Sequence, residues 1–425
     1  MGRPAYPLLL VAGMLAVPSS ALADTTNAFS LQELFSAVMA QHPALSGKRA
    51  EVKAKAFASD SARAGRYPSL NGQAGYQNLD AQGGSQTNNQ TSFTLRARQP
   101  LWAFGRIDSA IDYADADVLA NQADLLRVKR DLLEKTAVAY ARILGLYQRQ
   151  QVVAGNIISH EQFYQQIQRR ELGQLASKAD STLAALRLIQ ARTQEKRIEG
   201  ELLLALNELQ ALTQMPVQQV LPMADDVVDL PIMMNDVEQT ALENSANLQH
   251  KELLVALAEA KAEQEKTASM PTIYLQAEKQ FNQLGINNGE RYGVMVEGGV
   301  DGMGLPALGR ARAAGAQKVA AMESLKVSRN ELIRNVRSLM RNRQLQQDLI
   351  EAQTLSEGEF QAVLQSYMRQ YEAGRKPWLE VLNIQRELTE QRLQLVQAKS
   401  DWLVYSLRLM TLIGGFDDLA GSMKE

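Results

Sequence analysis

The sequence predicts a mixed α+β membrane protein: long antiparallel helices, four strands per chain contributing to a transmembrane β-barrel, and an internal duplication. Three observations carry that expectation. The chain opens on a stretch that reads as an export leader. Its long proline-free segments repeat apolar residues every seven positions. Four short segments alternate apolar with polar residues, in pairs, at matched places in both halves.

The leader comes first. Arg3 precedes an apolar run from Leu8 to Val17, and "SSALAD" places Ala21 and Ala23 as a small-residue cleavage site. Residues 1–23 are therefore expected to be a signal peptide, too short for a membrane span. With 425 residues the chain has room for two or three domains. The division expected is a first repeat over 24–213, a connector over 214–235, a second repeat over 236–414 and a tail over 415–425. The connector, "QMPVQQVLPMADDVVDLP", holds three prolines and no helical stripe.

Landmarks recur in the same order at a nearly constant offset of about two hundred residues, the mark of a duplicated unit. "HPAL" (42–45) aligns with "SANL" (245–248), "RYPSL" (66–70) with "SMPTI" (269–273), "LWAFGR" (101–106) with "LPALGR" (305–310), and the turn at Gly173 with that at Gly374. Each half reads helix, strand, strand, long helix, turn, helix.

The opening helices are expected over 31–66 and 236–268, the long ones over 106–172 and 310–373, and the returning ones over 178–213 and 377–413. Leu119, Leu126, Leu133, Tyr140 and Tyr147 form one seven-residue column; Val381, Leu388, Leu395, Trp402 and Leu409 form another. A strict seven-residue repeat winds helices around their neighbours. The shorter helices are each about half the length of the long ones. Two stacked end to end would match one long helix of about 100 Å, at 1.5 Å per residue.

Strands are expected at 69–79, 91–99, 272–280 and 291–300. Phe93, Leu95 and Ala97 oppose Thr94, Arg96 and Arg98. Leu275 and Ala277 oppose Gln276 and Glu278. Tyr292, Val294, Val296 and Val300 oppose Met295 and Glu297. Such alternation over about ten residues fits a tilted membrane strand, apolar side to lipid. Arg96, Arg98, Glu278 and Glu297 are then expected to face a barrel lumen. Aromatics at the strand ends, Tyr67, Trp102, Phe281 and Tyr292, suit an interfacial girdle. Four strands cannot close a barrel, and an open edge is not tolerated in lipid, so other copies must complete the sheet. At the junctions, Trp102 and Pro306 are expected to end strands, Gly105 and Gly309 to permit a sharp turn, and Arg106 and Arg310 to begin helices.

Composition narrows the function. The 45 basic and 47 acidic residues balance to −2, so no nucleic-acid face is indicated. There is no cysteine, which removes disulfides, thiolate metal sites, a cysteine nucleophile and an N-terminal lipid acceptor. His42, His160 and His250 lack metal-pair spacing. "GGVDGMG" (298–304) has the wrong order for a dinucleotide loop and no Lys-Ser/Thr after it, and reads as a strand end. No catalytic residue, metal or cofactor is expected.

In "HPAL", "RYPSL", "QPLWAFGR", the turn at Gly173 and "YEAGRKPWLEVLNIQRELTEQR", the chain resembles the TolC-like outer-membrane efflux proteins. The resemblance covers essentially all of the mature chain. It implies a homotrimer in which each chain gives four strands to a twelve-stranded barrel and twelve helices form a periplasmic tunnel. It also implies docking, through the helical tips, to a periplasmic adaptor and an inner-membrane ABC or other pump, and no enzyme activity. Carried over by position, Glu380 falls on the first of the family's two tip aspartates and Asn383 on the second. Tyr371 falls on its tip tyrosine and Lys376 on its nearby arginine. Asn383 removes one ring of negative charge. Asp180 is the first-repeat counterpart, with "GQLASKAD" reading one residue longer than the usual turn. The pore or gate is thus expected at Glu380, Asn383, Tyr371, Lys376 and Asp180. The adaptor-contacting turns are expected at Gly173, Ser177, Gly374, Arg375 and Pro377. Gly173 and Gly374 suit left-handed helix caps.

The function expected is export across the outer membrane, of proteins by type I secretion. Multidrug efflux is the alternative within the same class, and a periplasmic coiled-coil adaptor or structural rod is the alternative outside it. The solvated helix face is the plain reading of Glu380 and Asp180 when the resemblance is set aside.

Overall fold

The computed structural model describes residues 28–79, 88–223, 234–282, 289–299 and 304–417. The expected leader, Val300, most of the connector and the centres of both polar strand-to-strand loops lie outside these residues.

The first repeat runs β1 (Ala28–Phe29), α1 (Leu31–Gln41), α2 (Pro43–Ala64), β2 (Ser69–Leu79), β3 (Asn88–Trp102), α3 (Arg106–Leu172) and α4 (Lys178–Thr213). After β4 (Gln219–Val220), the second runs α5 (Met234–Asn244), α6 (Ala246–Thr267), β5 (Thr272–Asn282), β6 (Glu290–Glu297), α7 (Leu305–Glu372) and α8 (Trp378–Ile413). The two opening helices are each broken, where the sequence suggests one. Pro43 cannot continue a helix begun before it. His42 turns extended, at φ −67° and ψ 124°, and its Nδ1 accepts the Ala44 N–H at 3.1 Å. Ser245 makes the matching break and its Oγ accepts the Leu248 N–H at 3.3 Å.

The sheet is antiparallel with order β2-β3-β5-β6, so the repeats meet at β3 and β5. Register puts Leu70 opposite Ala97, Ala97 opposite Ala277, and Leu275 opposite Val294. These residues, with Phe93, Leu95 and Val296, share one apolar face that no other element covers among the described residues. Val294 and Val296 are 67% and 66% exposed. The other face carries Arg96 opposite Glu278 and Arg98 opposite Gln276.

The strand-to-helix junctions correct one expectation. Gly105 and Gly304 are the N-caps of α3 and α7, with identical φ 83° and ψ −6°. Gly309 is inside α7, Pro306 sits in its first turn and Arg310 lies a turn further on. The phrase "LPALGR" therefore does not match "LWAFGR" glycine for glycine. The counterpart of Gly105 is the glycine just before Leu305, where only a residue without Cβ takes this φ at low cost.

The long helices have 67 and 68 residues, which at 1.5 Å per residue is about 100 Å. Ion pairs mark the stacking. Arg66 meets Asp108 and Lys55 meets Asp117 at the sheet end of α3, while α4 offers Glu201 to Arg149 and Arg192 to Glu161 further along. α7 repeats this, with Glu259 of α6 on Lys318 and Arg392 of α8 on Glu357. Near the sheet the helix order is α2-α3-α6-α7, and at the far end it is α4-α3-α8-α7. Among the described residues both rows end on the same two sides as the sheet.

The main core lies midway along the rod, around Leu34, Phe35, Leu45, Leu133, Tyr140, Ile143, Leu209 and Leu407. Phe416 completes it against Phe35, with ring centroids 5.1 Å apart. β1 pairs with β4 in parallel, and the Tyr140 hydroxyl donates to the Leu221 carbonyl at 2.6 Å. Burial pushes that phenol up to about 12. Here α3 and α8 pack tightly: a Cβ on Gly145 would lie 2.5 Å from Ser400 Oγ.

Candidate functional site: the helical tip and the charged sheet face

Both helical hairpins end in the same turn. In the first, Leu175 N–H reaches back to the Arg170 carbonyl at 2.8 Å and Gln174 N–H to Glu171 at 2.9 Å. In the second, Arg375 N–H reaches Gln370 at 2.8 Å and Gly374 N–H reaches Tyr371 at 2.9 Å. This six-to-one closure satisfies the last carbonyls of each helix. Positions in the two turns pair at a constant offset, so "GQLASKAD" has no extra residue and Asp180 matches Glu380. Gly173 pairs with Ala373, both C-caps at negative φ, −82° and −77°. The left-handed residues are Gln174 and Gly374. Gly173 is thus not a left-handed cap.

The matched acids are held differently. Ser177 and Asp180 form a reciprocal capping box: Asp180 N–H donates to Ser177 Oγ at 3.1 Å, and Ser177 Oγ donates back to Asp180 Oδ2 at 2.8 Å. The second repeat has Pro377 where the first has Ser177. Proline offers neither N–H nor side-chain acceptor, so Glu380 is released from capping. It lies in the first turn of α8, where the helix dipole favours negative charge. Its carboxylate accepts from Lys376 of the same chain. That bond holds the Lys376 ammonium above its ordinary pKa. The same ammonium sits 3.8 Å from the Tyr367 ring centroid, a favourable cation–π position. Asn383 is half-buried one turn further along α8, and Arg375 is exposed at the turn.

Tyr371 is buried, not presented to solvent. Its ring lies 5.0 Å from that of Trp378, which meets Phe163 of α3 edge-on at 5.1 Å. Arg170, in the last turn of α3, lies over Tyr371 at 4.5 Å. This cluster, completed by Ile167, Val381 and Leu382, ties the two hairpins together within one chain. The sequence reading missed Arg170, Phe163, Tyr367 and Trp378. The sequence signal was the gathering of Tyr367, Tyr371 and Trp378 around the second turn; Phe163 lies more than two turns before the end of α3. Leu172 and Leu175 are 86% and 75% exposed at the first turn, while the second turn offers Glu372 and Arg375.

Behind the cluster a polar seam joins α3 to α8. Gln385 Nε2 and Thr389 Oγ1 both donate to Asn156 Oδ1, at 3.1 and 2.9 Å. One turn from Asn156, His160 is 5% exposed. Among the described residues its Nδ1 has no partner. Burial, aided by Arg187, pushes the imidazole down to about 4, so it is neutral at ordinary pH.

On the sheet, Arg96 Nε donates to Glu278 at 2.8 Å, Arg98 Nε to Gln276 at 2.9 Å and Arg98 Nη1 to Glu297 at 2.8 Å. The four charged residues expected together on one face are together, bonded across β3, β5 and β6. Among the described residues no group of acids and histidines could hold a metal, and no helix is long and apolar enough to cross a membrane.

The profile of the outer membrane efflux protein family matches residues 34–213 and 237–415. No curated protein matches the chain significantly. Solved structures do. The transmembrane-channel-forming CusC superposes with a TM-score of 0.81 at 20% identity, over 90% of this chain and 91% of its own. The outer membrane protein VceC of Vibrio cholerae gives 0.78 at 17% identity, over 90% and 96%. The MtrE outer membrane channel of Neisseria gonorrhoeae, solved in its open state, gives 0.75 at 15% identity, over 90% and 88%.

Proposed function

We propose a function from one premise: this chain belongs to the outer membrane efflux protein family, whose members are channels and not enzymes. Three copies assemble into a tunnel in the outer membrane. The tunnel docks through its helical tips to a periplasmic adaptor and an inner-membrane transporter, and exports substrates past the outer membrane. The observation that carries this is the pair of open sides. The sheet ends on β2 and β6, and the helix rows end on α2 or α4 and on α7. The two sides differ, so copies join head to tail, and such an interface makes a ring when the rotation closes. A closed ring leaves no strand edge in lipid.

In such a ring the Arg96–Glu278 and Arg98–Glu297 face lines the lumen and the valine face meets lipid. The tips converge. Three copies of Glu380, each held by its own Lys376, surround the axis and set its cation preference, and the Arg170–Tyr371–Trp378 cluster holds each chain's hairpins closed. An adaptor reaches these contacts at the turns of Gly173 to Ser177 and Gly374 to Pro377.

Protein export by type I secretion is the first reading of the cargo, supported by the absence of a lipid-acceptor cysteine in the sequence. The family's efflux description favours small toxic molecules as the second. Removal of the gene from its host separates them. Loss of a secreted protein from the medium supports the first, and drug sensitivity with an unchanged secreted set supports the second. Native mass spectrometry in detergent tests the assembly: three copies are expected, and a stable monomer with full strand content would overturn it.

A further inference from the structure

Midway along the rod the two faces of the helix row differ in chemistry. α3 and α8 come together where Gly145 meets Ser400. On one face of that contact Arg142, Arg149, Glu201 and Asp401 line a charged hollow. On the other, β4 crosses the two helices and leaves an open cleft of about 730 Å³, within the range of a small-molecule site. Among the described residues no charged side chain lines this cleft. Its polar lining is Gln148, Gln150 and Gln151 of α3 and Gln219 of β4, and its rings are Tyr147 and Trp402. Gln148, Gln151 and Gln219 are exposed, and Gln150 and both rings are half-buried. The Tyr147 hydroxyl is buried and, among the described residues, has no hydrogen-bond partner. A buried polar atom in that state calls for a partner from outside the chain. Arg343 of α7 lies over the Trp402 ring at 5.0 Å and donates to Ser406 Oγ at 2.9 Å, which pins the ring.

The cleft faces the outside of the tunnel. Tyr140, on the same side of α3 as Tyr147, bonds the Leu221 carbonyl and so lies under the layer made by β1 and β4. Copies of that layer on the inner side of a ring would fill the tunnel, so the layer and its cleft belong outside. α3 and α8 are the inner helices of the row. A neighbouring copy joins at α4 and α7 and does not cover the cleft. Tyr147 lies about 60 Å along α3 from the sheet, at 1.5 Å per residue, well clear of the membrane.

We infer that this cleft binds the N-acetylated amino-sugar units of a periplasmic glycan. Each glutamine amide offers both donors and an acceptor, the combination that sugar hydroxyls and acetamido groups require. The rings take the apolar C–H face of a pyranose, and the Tyr147 hydroxyl donates to an acetamido carbonyl. A lining without charge turns away phosphates, carboxylates and cationic molecules, which would lose water there and gain no counter-charge. The inference rests on the channel reading above, which puts this face of the rod in the periplasm.

The test titrates the full-length assembled protein, in a detergent without a sugar headgroup, with tri-N-acetylchitotriose in a calorimeter. Saturable binding is expected. Maltotriose, which has the hydroxyls and lacks the acetamido groups, should bind roughly tenfold more weakly. Gln148→Ala with Gln151→Ala, both at exposed positions, and Tyr147→Phe should each weaken tri-N-acetylchitotriose binding by roughly tenfold, the worth of one or two hydrogen bonds. Both variants should keep the parental trimer mass and single-channel conductance. Co-sedimentation with purified wall sacculi identifies the source. Sedimentation that tri-N-acetylchitotriose displaces supports a wall strand as the glycan, and calorimetric binding without sedimentation supports a free oligosaccharide. No saturable binding, equal affinity for maltotriose, or parental affinity in both variants overturns the inference and leaves the channel reading standing. A parent that forms neither a trimer nor a conducting channel overturns the channel reading, and the inference with it.

Discussion

Gln174 and Gly374 hold the same place in the two helical turns, both left-handed, at φ 59° and 70°. One repeat satisfies the position with glycine and the other tolerates a glutamine there. A side chain at such a φ costs about 1–2 kcal/mol. Gln174→Gly is therefore expected to raise the thermal midpoint of the detergent-solubilised trimer, and Gly374→Ala to lower it. Equal and negligible shifts would mean that the turns relax freely in solution.

The capping difference predicts a division of labour between the matched acids. Asp180 is engaged by Ser177 on its own helix. Asp180→Ala should cost about 1 kcal/mol of local stability, the worth of a cap, and leave single-channel conductance alone. Glu380, with Pro377 ahead of it, is held among the described residues by Lys376. Glu380→Ala should weaken cation selectivity in planar bilayers, and Lys376→Ser should raise conductance by freeing three carboxylates at the axis. Selectivity that follows Asp180 and ignores Glu380 would place the constriction on the other hairpin.

Much of this could be read from residue order, because period and punctuation are local. In the column Val381, Leu388, Leu395, Trp402 and Leu409 all but the half-buried Trp402 are buried, whereas Leu119, at the head of the other column, is 49% exposed, and Arg96 and Glu278 share a face because strands alternate. What escaped depends on register or on distant partners. The splits at His42 and Ser245 were signalled by Pro43 and by the serine cap, yet the helical pattern continued across both. "LPALGR" matched "LWAFGR" by composition, while the backbone required glycine directly before Leu305. β1 and β4 are two residues each and exist only by pairing with each other. Residue order does not show that Trp378 and Arg170, from two other helix ends, lie against the Tyr371 ring.

The faces of the sheet predict unequal tolerance. Val296→Arg puts a charge on the apolar face, at a cost of about 2–4 kcal/mol mid-membrane. Arg98→Ala removes a partner from Glu297, which is 57% exposed, and water can replace it. Heat resistance of the assembled trimer should fall sharply for the first and little for the second. Equal losses would assign the faces wrongly.

His160 makes the tip acid-sensitive. Its imidazole is lowered from 6.5 to about 4 in the folded chain, so the unfolded chain binds the extra proton first. Stability is unaffected above pH 6.5, declines as the pH falls toward 4 and then levels off. The depression corresponds to roughly 3 kcal/mol per chain. His160→Gln should flatten that part of the pH profile of the thermal midpoint, while the loss from carboxylate protonation remains. A profile unchanged by the substitution would show that the ring already meets water.

The polar seam between α3 and α8 should govern register more than stability. Asn156 accepts from both Gln385 and Thr389, and all three side chains are buried. Removing the shared acceptor leaves the Gln385 amide with a long, 3.5 Å bond to Thr389 Oγ1. Asn156→Ala is expected to cost about 1–3 kcal/mol, the penalty of an unsatisfied buried polar group. Replacing Asn156 and Gln385 together by leucine restores apolar packing and should recover most of that loss. A purely apolar seam, however, no longer distinguishes one sliding position from the next, because Leu–Leu contacts have no direction. The double variant should therefore melt near the parent yet spread its single-channel conductance over several levels, where the parent is expected to show one. Thr389 still donates to the Gln385 backbone carbonyl in that variant, so its own satisfaction does not confuse the comparison. A double variant with a single, parental conductance would show that the Tyr371–Trp378 cluster alone sets the register, and that the amides are a packing accident.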